Sequence, residues 1–259
     1  GGDKDNIAGE ILRELCEHSL AGKNIRYHLV VGRFNPNREK LEQYDNNAPK
    51  TMNAHLHVLE AYTLLYQCWK DNGLKKRLEF CVDLFMNRIY DPSRKHFNLF
   101  FDNEWNSLVE MDSYGHDVET GWLLCEAART LENQDLIEQT NQLALDVTEA
   151  CLAEGMSDKG YMIYEKKGDR KTKHASWWGQ IETVIACVNA WQISGSDVYL
   201  QSVDTVWTFV KDHMVDKEYG EWYSDCFDGE PKKEAPKVSM WRCPYHTVRL
   251  GVEMYNRLK

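Results

Sequence analysis

The 259-residue chain is 42% hydrophobic and carries a formal net charge of −10, with a pI of about 5.4. This acidic balance, without a basic run, argues against nucleic acid or an anionic membrane surface as a partner. The sequence contains neither a signal-peptide pattern nor an apolar run of about 20 residues, so we expect a cytoplasmic protein without membrane spans. We also expect a monomer or a weak dimer.

Apolar residues recur at helical spacing through most of the chain. This pattern predicts helices at residues 6–20, 51–72, 74–89, 114–132, 134–154, 176–194, 197–215 and 243–259. Short strands are predicted at 25–32, 160–164 and 221–226, and a hairpin is predicted at 96–109 with its turn at Asp102 and Asn103. Charged loops are predicted at 165–173 and 228–237.

The helices form a repeat of helix, short turn, helix and a longer segment with a hairpin. Units begin near Met52, Ser113, Ser176 and Arg242. The period of roughly 60–65 residues is longer than the repeat of the common helical solenoids. This repeat predicts an all-α (α/α)6 toroid or barrel, one domain over residues 1–259, with short hairpins at one mouth and nearly all-round apolar inner helices. The sequence yields only about eight of the twelve helices that six pairs require, so we expect an incomplete, N-terminally truncated barrel.

The start of each predicted inner helix carries polar and aromatic side chains, which a toroid would bring to one cavity. They are Asn53, His57 and Glu60 on the first helix, His116, Glu119 and Trp122 on the second, Trp178 and Glu182 on the third, and Trp241 and His246 around the start of the fourth. Residues three or four apart share a helix face. We therefore expect histidines, carboxylates and indoles to converge.

This set of side chains is typical of a carbohydrate site with two-base chemistry. Histidine acts as an acid or a base near neutral pH, so opposed imidazoles suit proton transfer at a carbon next to a carbonyl. Indole faces bury the C–H faces of sugar rings, and carboxylates accept hydrogen bonds from sugar hydroxyls.

Other interpretations stay open at this point. Glu119 and Glu182 could be the carboxylate pair of a glycoside hydrolase, although that chemistry leaves His116 and His246 without a task. A His/Glu pair at a helix start is often a cap, and a Trp at helical spacing is often part of the core. The expected truncation keeps a third hypothesis open, an inactive carbohydrate-binding fragment. Neither H-E-x-x-H nor C-x-x-C occurs, and we predict no metal.

Four segments resemble the signature segments of the N-acylglucosamine 2-epimerase superfamily. They are residues 52–62 (MNAHLHVLEAY), 113–119 (SYGHDVE), 177–182 (WWGQIE) and 241–246 (WRCPYH), in the family's order. Among the members, the match is closest to those that act on cellobiose. The resemblance implies an (α/α)6 barrel and a cofactor-free reaction.

The implied reaction is epimerisation at C2 of the reducing-end glucose of cellobiose or a related β-1,4-disaccharide, by ring opening and an enediolate. N-acylglucosamine and mannose are the alternative substrates within the family. By the resemblance, His116 and His246 match the two acid/base histidines. His57 with Asn53 matches the residues that handle ring opening and the O1/O2 region, and Glu119 matches the carboxylate that orients its neighbouring histidine. The matching substrate-binding positions are Trp122, Trp178, Glu182 and Trp241.

One expected residue has no counterpart in this chain. Family members carry an N-terminal third with an arginine that contacts the substrate oxygens, and neither Arg26 nor Arg33 matches it. For the isolated chain we therefore expect an open barrel with an exposed apolar flank and poor or no activity.

Overall fold

The computed structural model describes residues 48–239 and 242–259, which are mostly helical. The predicted helix at 6–20, the predicted strand at 25–32 and Trp241 lie outside the described residues. Where the structure describes the chain, the other seven predicted helices are all present. They are α1 (Met52–Cys68), α2 (Asn72–Leu84), α3 (Tyr114–Leu131), α4 (Gln134–Gly155), α5 (Trp177–Ser194), α6 (Val198–Phe209) and α7 (Tyr245–Leu258). None of these helices is long and apolar enough to cross a membrane.

The strands between the helices are short. They are β1 (Lys50–Thr51), β2 (Tyr90–Asp91), β3 (His96–Phe97), β4 (Phe100–Phe101), β5 (Met111–Asp112), β6 (Lys166–Lys167), β7 (Arg170–Lys171), β8 (His174–Ser176), β9 (Asp225–Phe227) and β10 (Glu230–Pro231). The chain groups into two compact units, the described part of Gly1–Ile89 with Asn98–Val109, and Tyr90–Phe97 with Glu110–Lys259.

The first unit is built on the α1–α2 pair. The hydroxyl of Thr51 accepts the backbone N–H of Ala54 (3.3 Å) at the start of α1, and the carboxylate of Asp71 accepts the N–H of Leu74 (2.8 Å) at the start of α2. These caps satisfy backbone donors that have no partner within the helix. α2 continues into a π-helical turn at Phe85–Ile89, and β1 pairs antiparallel with β4.

The second unit contains two helix pairs, α3–α4 and α5–α6, followed by α7. α3 packs against α5, and α5 also packs against α7. α3 and the first fourteen residues of α5 are buried almost all round, as predicted for inner helices. α5 begins at a serine cap, where Ser176 Oγ accepts the N–H of Gly179 (3.2 Å), and ends at Gly195 with φ of 71°. Glycine adopts this left-handed conformation without steric cost.

Two three-stranded sheets lie at the N-terminal ends of α3 and α5. β5 pairs with β6, which turns at Gly168 (φ 55°) into β7, while β8 pairs with β9 and β9 with β10, all antiparallel. β5 ends two residues before α3, and β8 ends directly before α5. The hairpins therefore gather where the inner helices begin, as predicted.

Several predictions about the strands were wrong. The hairpin at 96–109 is shorter than predicted, because β3 pairs with β2 and β4 pairs with β1. Around its turn remain the bridge Phe101–Ser107 and the backbone bonds from Asp102 N–H to Asn106 O (3.1 Å) and from Leu108 N–H to Phe100 O (2.9 Å). The strand at 160–164 is reduced to an isolated bridge at Met162, because the Gln180 side chain takes both backbone groups of Met162 (2.8 Å each). The predicted loops at 165–173 and 228–237 contain β6–β7 and β10, and the strand at 221–226 is displaced to β9.

The close approach of α3 to α5 depends on Gly115. A Cβ at this position would lie 2.7 Å from Trp178 Cζ3 and 3.1 Å from the Cα of Gly179. Gly121, further along α3, is different, because a Cβ there would meet its nearest neighbour, the Cα of Ala144, at an ordinary 3.5 Å. The contact at Gly115 fixes the ring of Trp178 beside the first turn of α3.

We predict that Gly115→Ala destabilises the protein by about 1–3 kcal/mol, because the added methyl group overpacks the α3–α5 contact. The matched control Gly121→Ala should be neutral or stabilising by up to about 1 kcal/mol, since alanine is the better helix former. Urea denaturation of the natural polypeptide that carries residues 1–259 measures both. Equal effects of the two substitutions would contradict the assigned close approach.

Candidate active site

His116 lies in the first turn of α3 and is held by the residue before the helix. Its Nδ1 lies 2.8 Å from Ser113 Oγ. Ser113 occupies the N-cap position, but its hydroxyl makes no capping bond to the helix backbone. The His116 ring lies 4.5 Å from the ring of Trp178 at the start of α5. A serine that elsewhere would cap a helix is therefore used to orient a histidine.

His246 lies in the first turn of α7 and is held by a buried carboxylate. Its Nδ1 lies 2.7 Å from Glu182 Oε1, and the Glu182 side chain is 0% exposed. Oε2 of the same carboxylate accepts a hydrogen bond from Trp122 Nε1 (2.9 Å). Because a carboxylate only accepts, it holds the proton of the neutral imidazole at Nδ1 and leaves the ring lone pair at Nε2.

A single arginine joins the two buried carboxylates of the site. Arg249 Nη1 donates to Glu119 Oε1 (2.7 Å) and to Glu182 Oε1 (3.0 Å), and all three side chains are buried. The guanidinium also lies over the rings of Tyr245 (4.2 Å) and Trp122 (5.4 Å). Two carboxylates this close require a cation, because unpaired buried charge is strongly unfavourable.

The two histidines contact the same indole. The ring of Trp178 lies 4.5 Å from that of His116 and 5.7 Å from that of His246, and the Trp177 ring lies 6.3 Å from His246. The structure thus brings together His116, His246, Glu119, Glu182, Trp122 and Trp178 in the second unit, from α3, α5 and α7.

Two of the remaining predicted residues belong to the first unit. Asn53 and His57 lie on α1 in the first unit, where both are exposed and His57 Nδ1 is 3.5 Å from Glu60 Oε2. Trp241 lies outside the described residues. Ser113 and Arg249 were not predicted as site residues. The signal for Arg249 was its position three residues after His246, on the same helix face.

Glu119, Glu182 and His246 offer ligand atoms that lie within 4.8 Å of one another, which is a spacing that a divalent cation can use. Arg249 already places a positive charge against both carboxylates. A metal ion would have to displace these bonds, so the donor set fits an arginine-neutralised site better. The predicted absence of a metal stays a prediction.

We predict that Arg249→Met destabilises the protein by about 3–5 kcal/mol, because it removes the guanidinium that bonds both buried carboxylates. In a double-mutant cycle with Glu119→Gln, the combined loss should be smaller than the sum of the single losses, since removing one carboxylate relieves part of the repulsion. Chemical denaturation of the four proteins measures the coupling. Additive losses would show that the bond between Glu119 and Arg249 carries no coupling energy.

Comparison with known proteins gives related sugar epimerases. The cellobiose 2-epimerase of Bacteroides fragilis is 40% identical over 254 residues, covering 95% of this chain and 64% of that protein. That of Dictyoglomus turgidum is 33% identical, covering 96% of this chain and 63% of that protein. The chain therefore spans about two thirds of the length of these curated relatives.

The solved structure of the cellobiose 2-epimerase from Bacillus thermoamylovorans B4167 matches 99% of this chain and 67% of that chain, with a TM-score of 0.84 and 30% identity. This likeness confirms the predicted fold class, an all-α (α/α) barrel. A sequence profile for N-acylglucosamine 2-epimerase (GlcNAc 2-epimerase) matches residues 19–249. The chain belongs to the N-acylglucosamine 2-epimerase family.

Proposed function

We propose that the protein is a carbohydrate 2-epimerase that converts the reducing-end glucose of cellobiose to mannose. The observation that carries this proposal is the placement of His116 and His246 against one indole, Trp178. Each imidazole is bonded at Nδ1 to another side chain that orients the ring. Nε2 is the ring atom that we propose for the proton transfer. Two relatives of this chain are cellobiose 2-epimerases, which supports the choice of cellobiose.

The proposed reaction moves one proton off C2 and another onto it. The sugar ring opens, so that C1 becomes an aldehyde and the C2–H becomes acidic. One imidazole takes this proton, and the C–H electron pair forms the C1=C2 bond of an enediolate with its charge on O1. The opposed imidazolium returns a proton to the other face of C2 as the electrons flow back, and ring closure gives the epimer. Since the reaction is reversible, each histidine is the base in one direction.

Glu182 has a defined part in this proposal. Its carboxylate fixes the His246 tautomer and stabilises the imidazolium that forms when His246 takes a proton. Arg249 balances the charge of Glu182 and Glu119. His116 has the neutral hydroxyl of Ser113 at the same ring position. The two imidazoles therefore have different partners, as two groups with opposite tasks at C2 require.

The other assignments rest on the resemblance. We propose His57 and Asn53 for ring opening and the O1/O2 region, Glu119 for orienting its neighbouring histidine, and Trp122, Trp178, Glu182 and Trp241 for contacts with the sugar. The indole of Trp178 offers the surface that best fits a hexose ring, because it lies beside both imidazoles.

A glycoside hydrolase is less well supported. That chemistry needs one carboxylic acid that donates a proton and a second carboxylate across the bond that is cleaved. Here Glu119 and Glu182 both bond to Arg249, with ligand atoms within 4.8 Å of each other. This arrangement holds both carboxylates on one guanidinium rather than on either side of a glycosidic bond, and leaves the proton transfers to the histidines.

The test is incubation of the natural polypeptide that carries residues 1–259 with cellobiose in D2O. We expect a product with mannose at the reducing end and deuterium at its C2. NMR and mass spectrometry of the sugar detect both changes. Free glucose would favour a hydrolase instead. Binding of cellobiose in calorimetry without turnover would favour an inactive carbohydrate-binding protein. Deuterium incorporation only into N-acylglucosamine or mannose would reassign the substrate.

A further inference from the structure

A buried polar cluster lies directly beside the candidate active site in the second unit. Asp117 follows His116 in the first turn of α3, and its side chain is 0% exposed. Its Oδ1 accepts the backbone N–H of Phe97 (2.9 Å), and its Oδ2 lies 2.8 Å from His96 Nδ1. Both oxygens are therefore bonded to consecutive residues of β3, so Asp117 ties the first turn of α3 to the β2–β3 hairpin.

His96 is placed between two carboxylates. Its side chain is 2% exposed, and its Nε2 lies 3.7 Å from Glu154 Oε1 at the end of α4. Among the described residues, this Nε2 is buried without a hydrogen-bond partner. Nδ1 faces Asp117 and Nε2 faces Glu154, and carboxylates only accept, so the imidazolium form suits both contacts.

Charged and titratable groups face His96 from every neighbouring element. They are Asp117 and Tyr114 on α3, Glu154 and Cys151 on α4, Asp112 on β5, Lys166 on β6 and Arg94 between β2 and β3. Lys166 Nζ lies 3.0 Å from Glu154 and 3.7 Å from Asp112, and Arg94 pairs with Asp112. The cluster thus already holds two side-chain cations, which argues against a metal ion in it.

We infer that His96 and Asp117 are positioning residues for His116, and that the protonated imidazole of His96 holds the first turn of α3 in the geometry that proton transfer at C2 requires. This inference rests on the proposed epimerase function. A buried ion pair adds little net stability compared with apolar packing, whereas it fixes the direction of the groups it joins. Here the group that it fixes is the peptide segment that carries His116.

The titration of His96 gives this inference a pH dependence. Burial lowers the pKa of His96, but the hydrogen bond and charge of Asp117, with Asp112 and Glu154, more than offset it, so the net pKa is raised. A raised folded-state pKa stabilises the fold fully below the unfolded value of about 6.5, and the stabilisation is lost as the pH rises through the folded value. The contact between His96 and Asp117 in the first turn of α3 should therefore weaken at alkaline pH.

The test compares His96→Asn and Asp117→Asn with the control Asp146→Asn in the natural polypeptide that carries residues 1–259. His96→Asn removes the positive charge between the two carboxylates and the contact of Nε2 with Glu154, although the amide nitrogen can still donate to Asp117. Asp146 on α4 pairs with Lys95 of the same hairpin (3.1 Å) and does not contact Asp117 among the described residues. We expect kcat for C2 epimerisation to fall about 10-fold or more in the first two variants, with KM within about threefold. The control should retain the kcat of the unsubstituted protein.

The part of the alkaline decline of Tm that follows the titration of His96 should be present in the unsubstituted protein and absent in His96→Asn. The catalytic imidazolium gives kcat an alkaline decline in every variant, so the kcat comparison is made at the pH optimum of each protein. Variants with a lower Tm but an unchanged kcat would overturn the inference and reduce the pair to a structural contact. If Asp117→Asn fails to fold, 15N NMR of the unsubstituted protein gives the second readout. A His96 ring that titrates below about 6.5 overturns the inference. The proposed function itself fails separately, if the unsubstituted protein transfers no deuterium to C2.

Discussion

The bond of Arg249 to two buried carboxylates is the interaction on which the candidate site depends. It joins α7 to Glu119 on α3 and to Glu182 on α5, across 130 and 67 positions of sequence. The guanidinium of Arg249 supplies the opposite charge that the fully buried Glu182 carboxylate needs, and the same carboxylate sets the tautomer of His246. The three helix starts are thereby tied together through one guanidinium.

The packing of the helices complements these polar contacts. Gly115 lets α3 approach α5 closely enough for the ring of Trp178 to lie against the first turn of α3. His116 and His246 both lie near that ring, with centroid distances of 4.5 and 5.7 Å. A site for proton transfer needs such rigid placement, because a misplaced base loses most of its effect. Polar contacts at the ends of the helices and tight packing between them are both required.

Much of this arrangement could be predicted from the sequence, because helix pairs follow from local periodicity. The apolar pattern gave the seven described helices, and the repeat indicated that His116 and His246 open equivalent helices. Contacts between residues that are distant in sequence could not be predicted in this way. The bond from Arg249 to Glu119 depends on tertiary packing, and the strand predicted at 160–164 was replaced because the Gln180 side chain, 18 residues away, takes the Met162 backbone groups. Such side-chain competition has no local signature.

The central claim is that His116 and His246 act on opposite faces of one C2 carbon. The most direct measurement is C2 hydrogen exchange in D2O with His116→Asn and His246→Asn, using cellobiose and its mannose-ended epimer in turn. We expect both variants to lose epimerisation, while each retains deuterium exchange with only one of the two sugars, and a different one for each variant. A single-histidine variant that still interconverts the two sugars would contradict the claim.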